Sequence, residues 1–167
     1  GKTESVKPEN VKKILVQKYF GIGSTLHTLP LILSLREEYP NATIYFLTLE
    51  ENRELNDICN IYDEVLTLRT DSIANFLVDL LRKVHFFTKT KFDISIDLEF
   101  FANYSLLISI LSRSPIRVGF FLNRIRPRGI LTHEVYFNHY RHISEIFSSM
   151  GSSIGVKHKP FVWRDNV

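Results

Sequence analysis

The loop G-I-G-S-T at residues 21–25 is the part of this sequence that most suggests chemistry. It follows an apolar run, K-I-L-V-Q at 13–17, which predicts a buried strand, and it precedes a segment with helical apolar spacing. In an open α/β sheet, ligands bind beyond the carboxyl ends of the strands, where such a loop lies. Gly21 and Gly23 would let the backbone approach a ligand, and Lys18 would add charge to a helix N-terminus that favours an anion. A tight strand-to-helix turn without a ligand is the alternative, and the pattern does not decide between the two.

Two acidic residues, Asp97 and Glu99, stand at the end of another apolar run, D-I-S-I-D-L at 93–98. Because strand side chains alternate between faces, one of the two acids is expected at the edge of a cleft. We interpret Asp97 as a structural cap and Glu99 as a candidate site residue. His27 lies about a turn into the predicted helix, and a packed or solvent-facing histidine is the favoured interpretation there over a site role.

A basic segment without acidic residues runs from residue 113 to residue 133. Guanidinium groups suit phosphate and carboxylate recognition, so the segment is a candidate anion site. A solvated surface is the equally favoured alternative. Its arginines are Arg113, Arg117, Arg124, Arg126 and Arg128.

Metal and dinucleotide sites are both disfavoured. A cluster of potential ligands near the end of the chain fits no standard zinc signature, so no metal is expected: His133, His139, His142 and Glu145. The dinucleotide fingerprint G-x-G-x-x-G is matched by Gly21 and Gly23, with Glu50 near the end of the second strand. The third glycine position holds Leu26, which is too large for close packing of helix on strand.

The composition is that of one soluble globular domain. The 167 residues are 44% hydrophobic and 23% charged. A net charge of +3 does not by itself indicate a nucleic-acid partner. The single cysteine, Cys59, excludes an intrachain disulfide and fits a reducing, cytoplasmic setting. No apolar run approaches the ~20 residues that a membrane-spanning helix needs.

Predicted strands and helices alternate along the chain, which indicates an α/β fold with a parallel sheet covered by helices on both faces. Strands are expected at 13–17, 43–49, 64–68, 93–98 and 116–119. Helices are expected at 25–39, 51–60, 104–111 and 139–150, and after the N-cap residues Asp71 and Ser72. Pro30 either kinks the first helix or stands in its first turn, and Gly151 is expected to end the last helix. Residues 120–138 are expected to be irregular.

The helix after Ser72 is predicted to carry its apolar residues on one face. These are Ile73, Phe76, Leu77, Leu80, Leu81, Val84 and Phe87. The aromatic residues of this helix are expected in the core.

Several segments in order resemble the ADP-heptose:lipopolysaccharide heptosyltransferases, glycosyltransferase family 9. The stretch K-I-L-V-Q-K-Y-F-G-I-G-S-T-L-H-T-L-P resembles the family's opening, which carries G-D-x-x-x-T-x-P, and here Gly23, Thr28, Pro30 and Lys18 match. Five more pieces follow in family order: Y-P-N-A-T-I-Y-F-L, Y-D-E-V-L, F-D-I-S-I-D-L-E-F-F, S-P-I-R-V-G-F and R-H-I-S-E. The resemblance covers about residues 11–151.

The resemblance implies the N-terminal, Rossmann-like half of a GT-B glycosyltransferase. Residues 1–10 would be a flexible tail, 11–151 the acceptor-side domain, and 152–167 a linker toward a C-terminal domain that this chain lacks. The acceptor would be lipopolysaccharide or another glycan. The donor would be a nucleotide sugar, expected to be ADP-linked and bound mainly by the C-terminal domain, with no cofactor or metal. The implied setting is cytoplasmic, at the inner face of a bacterial inner membrane, with peripheral membrane contact and no nucleic acid.

The resemblance also implies site residues. The family's proposed general base, an aspartate, would deprotonate the acceptor hydroxyl, but that position here holds Ser24, which cannot be a base at neutral pH without a partner. The base would then be His27, Glu50 or Glu99, or Ser24 would only orient the acceptor, or the protein would bind without catalysis. Expected catalytic residues are Ser24 and Glu99. Expected acceptor-binding residues are Lys18, Gly21, Gly23, Thr25, His27, Arg124, Arg126 and Arg128.

Two functions from different classes follow. The first is the acceptor-binding half of a transferase that moves heptose or a related sugar, inactive when isolated. The alternative is a non-catalytic module that binds an anionic glycan or a nucleotide. Ser24 in place of the family's aspartate motivates the alternative.

Overall fold

The computed structural model describes residues 7–100, 103–121 and 129–158. Its strands are β1 (Lys13–Gln17), β2 (Thr43–Leu49), β3 (Glu64–Leu68), β4 (Ile94–Asp97), β5 (Ile116–Phe121) and β6 (His133–Tyr136). Its α-helices are α1 (Ile22–Leu26), α2 (Leu29–Glu38), α3 (Arg53–Cys59), α4 (Ile73–Thr90), α5 (Asn103–Leu111) and α6 (Ile143–Ser153). Short 3-10 turns cover Pro8–Asn10 and Glu50–Asn52.

The strands of the described residues form one sheet in the order β3-β2-β1-β4-β5-β6, and every neighbouring pair is parallel. The chain builds outward from β1 to β3, then returns to the other side of β1 and builds outward again. The reversal lies between β1 and β4, where Gln17 stands opposite Asp97. Ligands of open α/β sheets bind outside the carboxyl ends of the strands at such a reversal.

Both faces of the sheet are covered, which confirms the predicted fold class. One core includes Ile14 and Val16 of β1 and packs under α2 and α6. The opposite core includes Leu15 of β1 and packs under α4 and α5, with Phe87 and Ile108 buried. Successive β1 side chains therefore enter different cores, which explains its continuous apolar sequence.

The first three predicted strands have the predicted bounds. The first predicted helix is divided, because α1 ends at Leu26 and α2 begins at Leu29, with Pro30 in the first turn of α2. Proline is tolerated in that position because its missing N–H would have no intrahelical partner there. The second of the two alternatives for Pro30 is thus confirmed.

Two predictions near the end of the chain are wrong. Residues 133–136 form β6 within the segment expected to be irregular. Gly151 does not end the last helix, since α6 continues to Ser153 and Gly155 follows at φ +90°. A Cβ on Gly151 would lie 3.0 Å from Leu31 Cδ1, so this glycine serves the close packing of α6 on α2.

The predicted apolar face of α4 is only partly internal. Phe87 is buried, and Phe76 and Leu80 pack against the core. Ile73, Leu77 and Leu81 are instead 82%, 51% and 70% exposed. The apolar face of α4 is therefore wider than the part of it that the sheet covers.

Candidate functional site

The turn after β1 lies at the carboxyl edge of the sheet, at the reversal of strand order, as the glycine-loop hypothesis requires. Glu99, just beyond β4, holds it there. Its Oε2 accepts hydrogen bonds from the backbone N–H groups of Tyr19 and Phe20, each at 3.1 Å, and its Oε1 accepts one from the Phe100 N–H at 2.9 Å. Glu99 is 1% exposed. Its carboxylate thus joins the segments that follow β1 and β4.

Lys18 is the cation of this turn and is also buried. Its ammonium donates to the Phe20 carbonyl at 2.8 Å and lies 3.9 Å from Glu99 Oε2. The Phe147 ring centroid is 5.7 Å from the ammonium, within cation–π range. Burial lowers the pKa of Lys18, while the charges of Glu99 and Asp97 act in the opposite direction. The predicted cation is therefore buried inside the turn, where its amine contacts the turn's own backbone.

Asp97 caps the start of the segment after β4, as predicted. Its Oδ1 accepts the Glu99 N–H at 3.0 Å, and its Oδ2 accepts the Ser105 hydroxyl at 2.7 Å. Because Asp97 is fully buried, these contacts replace the water that its carboxylate would otherwise need. The position of Glu99 is therefore set by Asp97 and by α5.

A buried polar network below the turn was not anticipated from the sequence. The Tyr19 hydroxyl donates to Gln17 Oε1 at 2.6 Å, and Gln17 Nε2 donates to the Ser105 carbonyl and to Ser109 Oγ. Asn52 Nδ2 donates to the Tyr19 carbonyl at 2.8 Å. The available signal was a polar residue, Gln17, at the end of an otherwise apolar strand.

Ser24 lies on the outer side of the turn, in the first turn of α1. Its hydroxyl donates to the Gly21 carbonyl at 2.5 Å and stands 3.3 Å from the Phe20 carbonyl. Gly21 has φ +84°, a left-handed conformation that favours glycine. Gly23 is exposed, and no atom lies within 4 Å of a Cβ placed on it. The glycines thus leave open space beside the Ser24 hydroxyl.

The exposed neighbour of Ser24 is an aromatic residue, Phe20, which belongs to none of the patterns that predicted the site. Phe20 is 49% exposed, although Lys18 and Tyr19 of the same turn are buried. An exposed ring beside a hydroxyl-bearing turn presents an apolar face and hydrogen-bonding groups together. This combination suits a ligand that has both apolar and hydroxyl surfaces.

The threonines after the turn have structural contacts. Thr25 is buried, and its carbonyl accepts the Thr28 hydroxyl at 2.6 Å. The Thr28 hydroxyl also lies 2.6 Å from the Tyr62 hydroxyl, whose pKa is raised by burial. Thr28, one of the residues that match the family pattern, thus fixes the junction of α1 and α2 to the core.

His27 is half-buried and packs its ring edge-on against His142, with 5.1 Å between the ring centroids. His142 is the N-cap of α6, and its Nδ1 accepts the Ser144 N–H at 3.3 Å. His27 therefore connects the end of α1 to the start of α6 at the carboxyl edge of the sheet.

Glu50, a candidate base at the end of β2, is held by two neighbours. Its carboxylate hydrogen-bonds the Thr67 hydroxyl and accepts from Arg53 Nε at 3.0 Å. The Thr67 hydrogen bond is the main cause of the lowered pKa of Glu50. A lowered pKa makes a carboxylate a weaker base.

Two of the five arginines of the predicted anion site, Arg113 and Arg117, lie within the described residues. Arg113 follows α5, and Arg117 lies near the start of β5, so both are at the amino edge of the sheet, opposite the turn. Arg117 donates to the Ile130 and Ser114 carbonyls at 2.6 Å each. It therefore connects the segments that precede β6 and β5. Arg124, Arg126 and Arg128 lie outside the described residues.

Two findings bear on metals and membranes. Within 7–100, 103–121 and 129–158, no three His, Cys, Asp or Glu side chains are placed so that they could hold a metal ion. Among the helices in those ranges, none combines the length and hydropathy that crossing a bilayer requires.

No family model and no curated protein sequence matches the chain. Solved structures do match. A family 9 glycosyl transferase from Veillonella parvula is similar with a TM-score of 0.77 at 19% identity, over 92% of this chain and 43% of that one.

Two E. coli enzymes give similar results. Heptosyltransferase WaaC with ADP matches with a TM-score of 0.68 at 15% identity, over 90% of this chain and 49% of that one. ADP-heptose lps heptosyltransferase II matches with a TM-score of 0.66 at 17% identity, over 92% and 45%. At these identities the likeness establishes the fold, and the chain spans under half the length of these relatives. It has the fold of one Rossmann-like half of a GT-B glycosyltransferase, as the resemblance to the ADP-heptose heptosyltransferases implied.

Proposed function

We propose that this chain is the acceptor-binding half of a glycosyltransferase that moves heptose or a related sugar from an ADP-linked donor to lipopolysaccharide or another glycan. The observation that carries the proposal is the turn 18–24, held by Glu99 at the strand-order reversal of a fold shared with family 9 glycosyltransferases. Similar structures carry ADP and ADP-2-deoxy-2-fluoro heptose, which supports the donor class. A cytoplasmic location at the inner face of the inner membrane belongs to the same proposal.

The residues of the turn divide into positioning and contact roles. Lys18 and Glu99 are buried and bind the backbone of the turn, so we assign them to positioning. Gly21, Gly23 and Ser24 form its outer surface, and we assign them to the acceptor together with Phe20. Thr25 supports this surface from inside. Arg124, Arg126 and Arg128 stay in the proposal as contacts for acidic acceptor groups.

The reaction needs a group that removes a proton. The acceptor hydroxyl oxygen forms a bond to the anomeric carbon, the bond from that carbon to the nucleoside diphosphate breaks, and the hydroxyl proton passes to a base. Glu99 is buried among backbone amides, and Glu50 is held by Thr67 and Arg53. His27 is half-exposed and lies three residues after Ser24. Histidine is the side chain that most often serves as a general base in enzymes. We therefore propose His27 as the base and Ser24 as the group that orients the acceptor hydroxyl.

Acceptor binding tests the first part of the proposal. Titration of the chain with lipopolysaccharide inner-core oligosaccharide should show saturable binding, followed by NMR or calorimetry. Ser24→Ala should weaken it about tenfold, the loss of one hydrogen bond of about 1.4 kcal/mol. Ser153→Ala is the matched control, because its hydroxyl also donates to a carbonyl three residues earlier, in α6. Equal affinities for the two variants would contradict the assignment of Ser24.

Sugar transfer tests the second part. With a donor-binding half joined to this chain, His27→Ala should lower kcat by about 10²-fold or more, as expected for loss of a general base. His85→Ala, on the exposed side of α4, is the control. Absence of transfer from every nucleotide sugar tried, in a folded two-domain protein, would reject the enzyme.

A non-catalytic binding module is the second candidate. It is favoured by the hydroxyl of Ser24 where the resembled family has a carboxylate, and by the engagement of Glu99 with backbone amides. Saturable glycan or ADP binding without transfer in the two-domain protein would support this candidate. Transfer that depends on His27 would exclude it.

A further inference from the structure

The outer surface of α4 and α5 is apolar where a helix of a soluble domain normally carries polar groups. Five of its side chains are 82%, 51%, 70%, 44% and 44% exposed, in the order Ile73, Leu77, Leu81, Leu107 and Ile110. We call these five residues the α4–α5 surface. Three of them are spaced by four residues along α4, so they form a continuous stripe.

The two helices lie side by side on the same face of the sheet. Phe76 of α4 contacts Tyr104 of α5, with 5.5 Å between the ring centroids. From Tyr104 to Leu111, the only polar residues without an aromatic ring are Ser105 and Ser109, and both are fully buried. The solvent side of α5 in this range is therefore apolar, and it extends the stripe on α4.

The exposed charges on α4 and at the C-terminal ends of both helices are cationic. Arg82 and Lys89 are exposed on α4, Lys91 follows it at φ +53°, and Arg113 follows α5 at φ +53°. The acid of α4, Asp79, is largely buried against Arg69, with 2.9 Å between Nε and Oδ2. Asp71 and Glu51 lie toward the other end of α4. The surface thus combines exposed leucine and isoleucine side chains with a basic rim at one end.

We propose that the α4–α5 surface lies on a membrane that contains anionic phospholipids. Exposed apolar side chains would enter the boundary of headgroups and acyl chains, and the basic rim would meet lipid phosphates. Lys89, Lys91 and Arg113 lie at the amino-edge ends of the two helices, whereas the turn after β1 lies at the opposite, carboxyl edge of the sheet. The inference uses neither the turn nor the proposed reaction. It rests on the proposed function only in the inner-membrane location, to which it assigns a surface, and loss of vesicle binding would leave the transfer and acceptor-binding tests unaffected.

Vesicle flotation of the 167-residue chain tests the proposal. We expect binding to vesicles of phosphatidylglycerol and phosphatidylethanolamine, and at least tenfold weaker binding to pure phosphatidylcholine. Leu77→Glu with Leu81→Glu should reduce partition at least tenfold, and Arg82→Glu with Lys89→Glu should reduce it and remove its salt dependence. These side chains are exposed, so the variants should stay folded, which circular dichroism checks.

The matched control is Ile58→Glu, which changes a 75% exposed apolar residue on α3 and should leave partition unchanged. Equal loss for Ile58→Glu and for the α4 variants would overturn the proposal, as would binding that ignores lipid charge or no binding to any vesicle. Concentration-dependent dimers that Leu81→Glu abolishes, seen by sedimentation without lipid, would assign the surface to a second copy of the chain instead.

Discussion

Polar side chains hydrogen-bond the backbone at both edges of the sheet, but the two edges differ in solvent exposure. At the amino edge, Asp93 accepts the Lys12 and Lys13 N–H groups at 2.7 and 2.9 Å, and Arg117 donates to two carbonyls, all at least partly in contact with solvent. At the carboxyl edge, the carboxylate of Glu99 and the ammonium of Lys18 are almost fully buried.

Burying charged groups costs free energy that their attraction does not always offset, so a buried pair is weak evidence for stability alone. The hydrogen bonds of Asp93 and Arg117 at the amino edge are explained by the need to connect strands. The buried ties at the carboxyl edge also hold the conformation of one exposed turn, with Gly21, Ser24 and Phe20 on its outer side. The comparison indicates that the carboxyl edge is built to position a surface.

Among the variants that test the two edges, Glu99→Gln should lower the free energy of unfolding the most. It leaves the buried ammonium of Lys18 without its carboxylate and places an amide NH₂ or carbonyl among backbone N–H groups. We expect a loss of about 3 kcal/mol or more in the free energy of unfolding, measured with urea. Glu54→Gln, at an exposed position of α3, should change it little. A loss below about 1 kcal/mol for Glu99→Gln would show that the carboxyl edge is not held by this residue.

Gly21→Ala should distinguish two contributions of this glycine: the stability of the fold and the shape of the turn that binds the acceptor. At φ +84° an alanine costs about 1–2 kcal/mol, and its Cβ would stand 2.9 Å from Ser24 Oγ. Gly155→Ala is the control, since φ is +90° there and a Cβ meets no atom within 4 Å. We expect similar losses of stability from both, and weaker acceptor binding from Gly21→Ala alone. Unchanged binding would disconnect the turn from the acceptor.

Asp93→Asn should affect the amino edge alone. One carboxylate oxygen accepts two N–H groups, and the amide is a weaker acceptor, so we expect a loss of about 1 kcal/mol in the free energy of unfolding. Acceptor affinity, measured by the same titration as for Ser24→Ala, should not change. A parallel loss of affinity would mean that the two edges are coupled.

Asp79→Asn should change the free energy of unfolding the least, and the size of the change should depend on pH. The Arg69 side chain lowers the pKa of Asp79 to about 2 from an ordinary 3.8. The folded-state pKa is depressed, so the ion pair stabilises the fold above about pH 4 and is lost as pH falls toward 2. The stability difference between the wild type and Asp79→Asn should be constant from pH 7 to pH 5 and shrink below. A difference that grows on acidification would contradict this sign.

Local signals in the sequence were sufficient for several elements. The apolar runs of β1, β2 and β3 gave their bounds, and Ser72 caps α4 as predicted, with its hydroxyl oxygen accepting the Asn75 N–H at 3.1 Å. The glycine loop was located correctly at the carboxyl edge. Its presence there follows from one rule, because the loop after any strand of a parallel sheet lies at that strand's carboxyl end.

Other features depend on contacts between residues far apart in sequence. β6 was missed because its pairing with β5 is what makes residues 133–136 extended. Gly151 was interpreted as a helix stop because its close contact with Leu31 is invisible along the chain. The apolar side of α4 was interpreted as internal because periodicity gives the width of an apolar face and not how much of it the sheet covers.

The sequence by itself determined that this chain forms a parallel α/β sheet and that a glycine turn stands at its ligand-binding edge, since periodicity and turn residues act over a few positions. Only the tertiary structure decided what holds the turn. Glu99 and Asn52 reach it from segments 80 and 33 residues away from Tyr19, through hydrogen bonds that exist only when the strands are assembled. The same assembly left Leu77 and Leu81 exposed, because burial depends on which helices lie beside one another on the sheet.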